Sequence, residues 1–363
     1  MINTKRLVDE LKELVSIDSV SFHEQKMIET LKKKLSDLHF DVYEDHIGNL
    51  YGFLKGELPG EPLLFSAHMD TVEPGSFKEA IIQEDGKIVS NGKTVLGADD
   101  VAGIVAILES VRVLLEQHIA HRDIEVLFFV AEEAYIQGSQ DFDFQRVRAK
   151  EGYVLDLSGN IGTASLQEPT LISFQIDVIG KASHAGFAPE EGIHSIAVAS
   201  QAIAHVKQGQ IDEETTLNIG KIHGGIATNI VPEHTFIEGE VRSYNHDKAL
   251  ATMQSVFHTF EMMAKQNDAS INTQYRIHLH AYQVSKNEQV VQRFLHVCEK
   301  LNLSSTLTKT FGGSDNNSFL SHGIQGIVLA CGMHDVHTTH EYTTIEDLKK
   351  STEVVLNLMI SEE

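Results

Sequence analysis

The feature that most narrows the fold of this 363-residue chain is a change of pattern near Leu171. From there the apolar periodicities run strand (LISFQIDVIG), helix (HSIAVASQAIAHVKQ), strand (TTLNIGKI), strand (TFIEGEVRSY), helix (KALATMQSVFHTFEMMAK) and strand (INTQYRIHLH). A βαββαβ order of about 110 residues specifies a ferredoxin-like α+β domain. On either side the chain alternates helix and strand, as α/β domains do. One helix is expected from about Thr4, a second from about Ser21 with Ser21 and Glu24 as a capping box, and a long one from Val101. The runs PLLFSAH, IEVLFFVA and GYVLDL read as centrally buried strands. After about Tyr282 the alternation resumes with helix NEQVVQRFLHVCEKL, strand GIVLACG and a last helix opened by Thr343 and Glu346. The expectation is a discontinuous α/β domain over residues 1–170 and 283–363, with a mixed sheet flanked by helices and a ferredoxin-like domain inserted over 171–282.

Charge excludes some partners. Lysine and arginine total 29 against 52 acidic residues, a formal net charge of −23, which repels nucleic acid and anionic membranes. The only cysteines, Cys298 and Cys331, supply no disulfide framework and suit a reducing compartment. The N-terminal MINTKRLVDELKELVSID spaces its leucines as an amphipathic helix, unlike a signal peptide, and no apolar run approaches the ~20 residues a bilayer requires. A cytoplasmic location is expected. Twenty histidines stand out, because histidine supplies both neutral metal ligands and near-neutral acid–base groups.

In open α/β sheets ligands gather beyond the carboxyl ends of the strands, so polar residues directly after apolar runs carry the information. PLLFSA ends in His68-Met69-Asp70, VLFFVA in Glu132-Glu133 and GYVL in Asp156, while GIVLACG leads through a loop to Thr339-His340-Glu341. A fifth cluster, Asp99-Asp100, stands where a turn enters the long helix. Adjacent carboxylates after an apolar run incur repulsion and desolvation that a cation relieves. Five clusters of such ligands at one sheet edge point to a metal site.

These residues resemble the two-zinc exopeptidase family that includes peptidase T, glutamate carboxypeptidase, aminoacylase I and succinyl-diaminopimelate desuccinylase. The strings VLGADDVAGI, SHAG, GGIATNIVPE, GEVRS and FGGSDNN look most like its peptidase T-like branch. The resemblance implies a tripeptide aminopeptidase acting on short peptides. Dipeptidase, carboxypeptidase and N-acyl-amino-acid deacylase activities are alternatives on the same centre, and a catalytically silent binding protein is the alternative from another class. It further implies two Zn2+ per subunit, replaceable by Co2+ or Mn2+, with His68, Asp99 and Asp156 on one ion, Asp99, Glu133 and His340 on the other, and Asp99 bridging. Three carboxylates and two neutral imidazoles leave two divalent ions with a net charge of about +1, which a bridging hydroxide would neutralise.

By the same resemblance Asp70 orients the His68 imidazole, Glu132 is the general base, and the Asp99–Asp100 peptide is cis. His184 in SHAG would stabilise the oxyanion, often in a partner subunit's site, with Asn229 assisting. Arg242 would grip a substrate carboxylate, joined by donors from Gly312, Gly313 and Ser314. The inserted domain, with exposed strand edges, would pair two copies into a homodimer. Ala131 and His194 depart from the family pattern, and His223, His334 and His337 are further candidates for substrate contact.

Overall fold

The computed structural model describes residues 1–361, which divide into two compact units. The first comprises Met1–Leu166, Gln283–Lys309 and the chain from Gly313 on; the second comprises Gln167–Tyr282 with Thr310–Gly312. The first unit opens with α1 (Thr4–Val15), which buries Leu7, Leu11, Leu14 and Val15 and is capped by the Asn3 side chain accepting the Arg6 N–H. The second helix, α2 (Gln25–Asp37), starts later than a capping box at Ser21 requires. The Ser21 hydroxyl instead donates to Asp70 at 2.7 Å, and Glu24 accepts the Phe22 and Ala131 N–H groups, so both side chains brace loops.

The principal further elements of this half are β1 (Asp41–Glu44), β2 (Leu50–Leu54), β3 (Leu63–His68), α3 (Ala98–Gln117), β4 (Ile124–Phe129), β5 (Glu151–Leu157) and β6 (Thr163–Ser165). In the second unit follow β7 (Thr170–Ile179), α4 (Ser195–His205), β8 (Thr215–Gly224), β9 (His234–Ser243), α5 (His246–Gln266) and β10 (Ser270–Leu279). The chain then returns to the first unit through α6 (Gln289–Lys300), β11 (Thr306–Thr308), α7 (Asn316–Ser321), β12 (Gln325–Ala330) and α8 (Ile345–Met359). The Thr344 hydroxyl caps α8 by accepting the Asp347 N–H, one position beyond the expected Thr343.

The first unit's main sheet has the order β1-β2-β4-β3-β5-β12-β6-β11. Its four inner strands β4, β3, β5 and β12 are mutually parallel, and the flanking pairs β2/β4 and β12/β6 are antiparallel, so the sheet is mixed. Every residue of β3 and β4 is buried, as continuous apolar runs in a sheet covered on both faces must be. Phe65 stacks on Tyr153, and Phe129, Phe142, Phe144 and Phe319 form an aromatic cluster. The consequence for function is that four carboxyl termini open on one edge.

In the second unit the sheet runs β8-β9-β7-β10, wholly antiparallel, with a short strand (Gly209–Asp212) outside β8. This is the ferredoxin-like order. Apolar residues of α4 and α5 cover the face formed by Phe174, Ile176, Val178, Ile237 and Val241. Gly239 sits where a Cβ would come within 2.3 Å of the Phe174 ring and 2.6 Å of the Asn218 carbonyl, so the close fit of that ring over β9 requires glycine. Among the described residues no helix is long and apolar enough to cross a membrane.

Candidate active site and metal centre

The carboxyl ends of the four inner parallel strands deliver the acidic and imidazole groups to one place. His68 ends β3, Asp156 is the penultimate residue of β5, Glu132 and Glu133 follow β4, and Asp99 stands at the kinked start of α3. Two groups of donor atoms result, each mutually within 4.8 Å: His68, Asp99 and Asp156, and Asp99, Glu133 and His337. His68 Nε2 lies 3.0 Å from Asp99 Oδ1 and 3.8 Å from Asp156 Oδ1. His337 Nε2 lies 3.1 Å from Asp99 Oδ2 and 2.9 Å from Glu133 Oε1. Asp99 thus turns one oxygen to each group, the arrangement of a bridging carboxylate.

One expected ligand is corrected. His340 is exposed, its backbone N–H donating to the Thr338 hydroxyl, whereas His337 occupies the second group. The loop after β12 passes through left-handed backbone at Asp335 (φ 50°) and again at His337 (φ 61°), and the His337 ring, although 49% exposed, turns toward Asp99 and Glu133 while His340 stays outside the group. His334 is also assigned elsewhere: it stacks on Tyr342 and contacts Asp347 at 3.2 Å.

Around the donors stands a set of buried groups that aim them. His68 Nδ1 faces the Asp70 carbonyl at 3.0 Å, nearer than the Asp70 carboxylate at 3.4 Å. A carbonyl can only accept, so Nδ1 carries a hydrogen; Asp99 Oδ1 likewise only accepts, so Nε2 carries one as well here, and it is this Nε2 position that a cation between His68, Asp99 and Asp156 would take over. The Asp70 carboxylate mainly holds the next loop, accepting the N–H groups of Glu132 (2.9 Å) and Glu133 (3.1 Å). Asp100 Oδ2 accepts the His68 N–H at 3.2 Å, and the Asp99–Asp100 peptide is cis. Glu341, buried, accepts the N–H groups of Gly97 (2.7 Å) and Asp99 (2.9 Å) and so clasps the turn that presents Asp99. The sequence signal for Glu341 was only its place beside His340. Its partners lie more than two hundred residues earlier, and no local pattern reveals them.

The electrostatics show what the site lacks in protein charge. Burial pushes the carboxyls of Asp156, Glu132 and Glu133 up, and the charge of Asp156 adds to the effect on Glu132. Hydrogen bonds to Asp99 and Glu133 raise the His337 imidazole to about 10. For His68 burial opposes protonation, yet hydrogen bonds to Asp70 and Asp99 outweigh it and the imidazole is also raised. Buried carboxylates in excess therefore draw positive charge onto both rings. Divalent cations answer the same demand, and three mixed nitrogen and oxygen donors per group, with one carboxylate shared, fit a pair of transition-metal ions.

Family models agree with this architecture. One described as a peptidase dimerisation domain matches residues 166–268, and one described as peptidase family M28 matches residues 49–187. The chain is 38% identical over 367 residues to the uncharacterised protein YqjE of Bacillus subtilis, covering 99% of each. Among solved structures, aminopeptidase PepT from Bacillus cereus matches with a TM-score of 0.89 at 37% identity, covering 99% of this chain and 98% of that one. A tripeptidase from Staphylococcus aureus matches with a TM-score of 0.94 at 34% identity, over the same shares of the two chains. The chain belongs to the peptidase T-like branch of the metallo-exopeptidases.

In this metallo-exopeptidase the remaining expected residues are divided between the units. His184 and Asn229 belong to the second unit, on neighbouring segments: the Ala185 N–H donates to the Asn229 carbonyl at 3.0 Å. His223 is an exposed residue of β8. Arg242 does not present an open fork. Its Nε and Nη2 meet Glu240 at 2.8 and 3.3 Å, and its Nη1 donates to the Phe311 carbonyl at 2.8 Å. The Gly312 N–H donates to the Thr310 hydroxyl at 2.9 Å, and the Ser314 hydroxyl is buried and accepts the Asn316 N–H at the start of α7. Gly313 is half-buried between them.

Proposed function

We propose that this metallo-exopeptidase removes the N-terminal residue of short peptides, tripeptides foremost, with two Zn2+ per subunit held by His68, Asp99, Asp156, Glu133 and His337. Co2+ and Mn2+ suit the same donors. The observation that carries the reading is the pair of donor groups sharing the buried Asp99, with the buried Glu132 next to Glu133 yet outside both groups. Bound there, the ions would supply electrophilic polarisation of the scissile carbonyl and acidification of a water. Glu132 takes the proton of the attacking water on its carboxylate and returns it to the leaving amine nitrogen. Asp70 holds the Glu132 and Glu133 backbone in place, and its carbonyl fixes the His68 tautomer. His184 donates its ring N–H to the oxygen that gains charge, with Asn229 beside it. Arg242, exchanging Glu240 for substrate, and the Gly312–Gly313–Ser314 turn bind the peptide's carboxylate.

The names of two relatives, an aminopeptidase and a tripeptidase, support the substrate class. The match to a peptidase dimerisation domain supports a homodimer formed through the second unit. Two free, buried thiols at Cys298 and Cys331 accord with work in the cytoplasm. Metal analysis coupled to a peptide library tests the proposal: two ions per chain and release of the first residue from unblocked tripeptides are expected. Release from the carboxyl end, or turnover of N-acyl amino acids alone, would overturn it.

A further inference from the structure

His184 is held on two sides by the residues that follow it. Its Nδ1 accepts the N–H groups of Gly186 (3.1 Å) and Phe187 (3.2 Å), and its carbonyl accepts the N–H groups of Phe187 (3.2 Å) and Ala188 (3.0 Å). The Phe187 ring lies against the imidazole face, with centroids 4.2 Å apart and planes 20° from parallel. The base of the turn is pinned by β-bridge pairing of His184 with Ile230 and by the Val231 N–H donating to the Ser183 carbonyl at 3.0 Å. Phe187 is nonetheless 86% exposed. The contact the ring does make is this stack on the imidazole.

A backbone amide can only donate, so a nitrogen that faces two of them is an acceptor, and the ring hydrogen of neutral His184 is at Nε2. An unconstrained imidazole exchanges its hydrogen between both nitrogens and rotates. Half of those arrangements would turn a lone pair, not an N–H, toward a developing oxyanion. We propose that the Gly186 and Phe187 amides select the Nε2–H tautomer of His184 and that the Phe187 ring fixes its orientation, making Phe187 a positioning residue for the hydrolytic step. The proposal rests on the reading of His184 as the oxyanion donor. It adds that the donor is set before substrate arrives, which is the condition for electrostatic stabilisation without reorganisation during the reaction.

The test uses the full-length, metal-loaded enzyme with a tripeptide substrate. Phe187→Ala keeps the amide and removes the ring; kcat is expected to fall roughly three- to tenfold with KM within about twofold, the range of an aromatic stacking contact expressed in the transition state. Phe187→Tyr keeps the ring and should restore kcat, whereas Phe187→Leu, of similar apolarity, should not. Histidine 15N spectra, with the His184 signal identified by its loss in His184→Gln, should show Nδ1 unprotonated in the wild type. A thermal melt verifies that these exposed substitutions leave the fold unchanged. If His184→Ala lowers kcat but Phe187→Ala does not, or if Nδ1 carries the hydrogen, the positioning proposal is overturned while the role of His184 stands. If His184→Ala itself leaves kcat unchanged, the underlying reading of His184 falls, and the proposal with it.

Discussion

Exchanging the roles of two histidines three residues apart tests the metal centre most directly. His337 supplies one of three donors in its group, within 3.1 Å of both Asp99 and Glu133, while His340 stands exposed with only a backbone link to Thr338. Losing a partner that merely orients a ligand weakens metal binding about 10- to 100-fold, so losing a direct donor should cost at least about 100-fold, or ~2.8 kcal/mol at 1.4 kcal/mol per tenfold. Only the second group loses a donor, because Asp99, His68 and Asp156 are untouched. His337→Ala is therefore expected to retain one ion and shed the other during dialysis against buffered zinc, with hydrolysis lost alongside. His340→Ala should keep both ions and change activity by no more than about twofold. Mass-spectrometric metal counting at graded free zinc reads both outcomes. Two retained ions in His337→Ala, or a lost ion in His340→Ala, would refute the assignment of the second group.

Three further substitutions probe separate links. Glu132→Ala should keep both ions yet lower kcat by about 10²–10⁴, the usual contribution of general acid–base transfer; a normal kcat would remove Glu132 from the proton path. Glu341→Ala leaves the Gly97 and Asp99 amides without their buried acceptor, so metal affinity should fall about 10- to 100-fold although no donor is lost, and unchanged zinc titrations would count against the clasp. Lys78 is buried with its ammonium donating to the Ile17 and Gly75 carbonyls, and burial lowers it to about 8 from an ordinary 10.5. Above pH 8 the folded protein has released a proton that the unfolded chain still holds, so wild-type stability should rise relative to Lys78→Met by about 1.4 kcal/mol per pH unit up to about 10.5. Parallel denaturation curves for the two proteins across pH 7–10 would contradict this.

Much of the architecture was legible because period and order are local properties. Continuous apolar runs reported the inner strands β3, β4 and β5, and the switch to a βαββαβ order reported the antiparallel sheet of the second unit. Helix starts were read less well. Ser21 and Glu24 have the spacing of a capping box, but the folded chain offers them Asp70 and the amides of Phe22 and Ala131 as partners, and α2 begins at Gln25.

At the metal centre the division is sharper. An acidic or imidazole residue directly after a parallel strand must emerge at the sheet's carboxyl edge, so sequence alone determined that His68, Glu132, Glu133 and Asp156 would share a neighbourhood. The segment His337-Thr338-Thr339-His340 has no such period. Which ring turns inward depends on left-handed backbone at Asp335 and His337 and on the anchoring of Glu341 to Gly97 and Asp99. Those are long-range contacts made only once β12 lies beside β5, and only tertiary structure could choose between the two histidines.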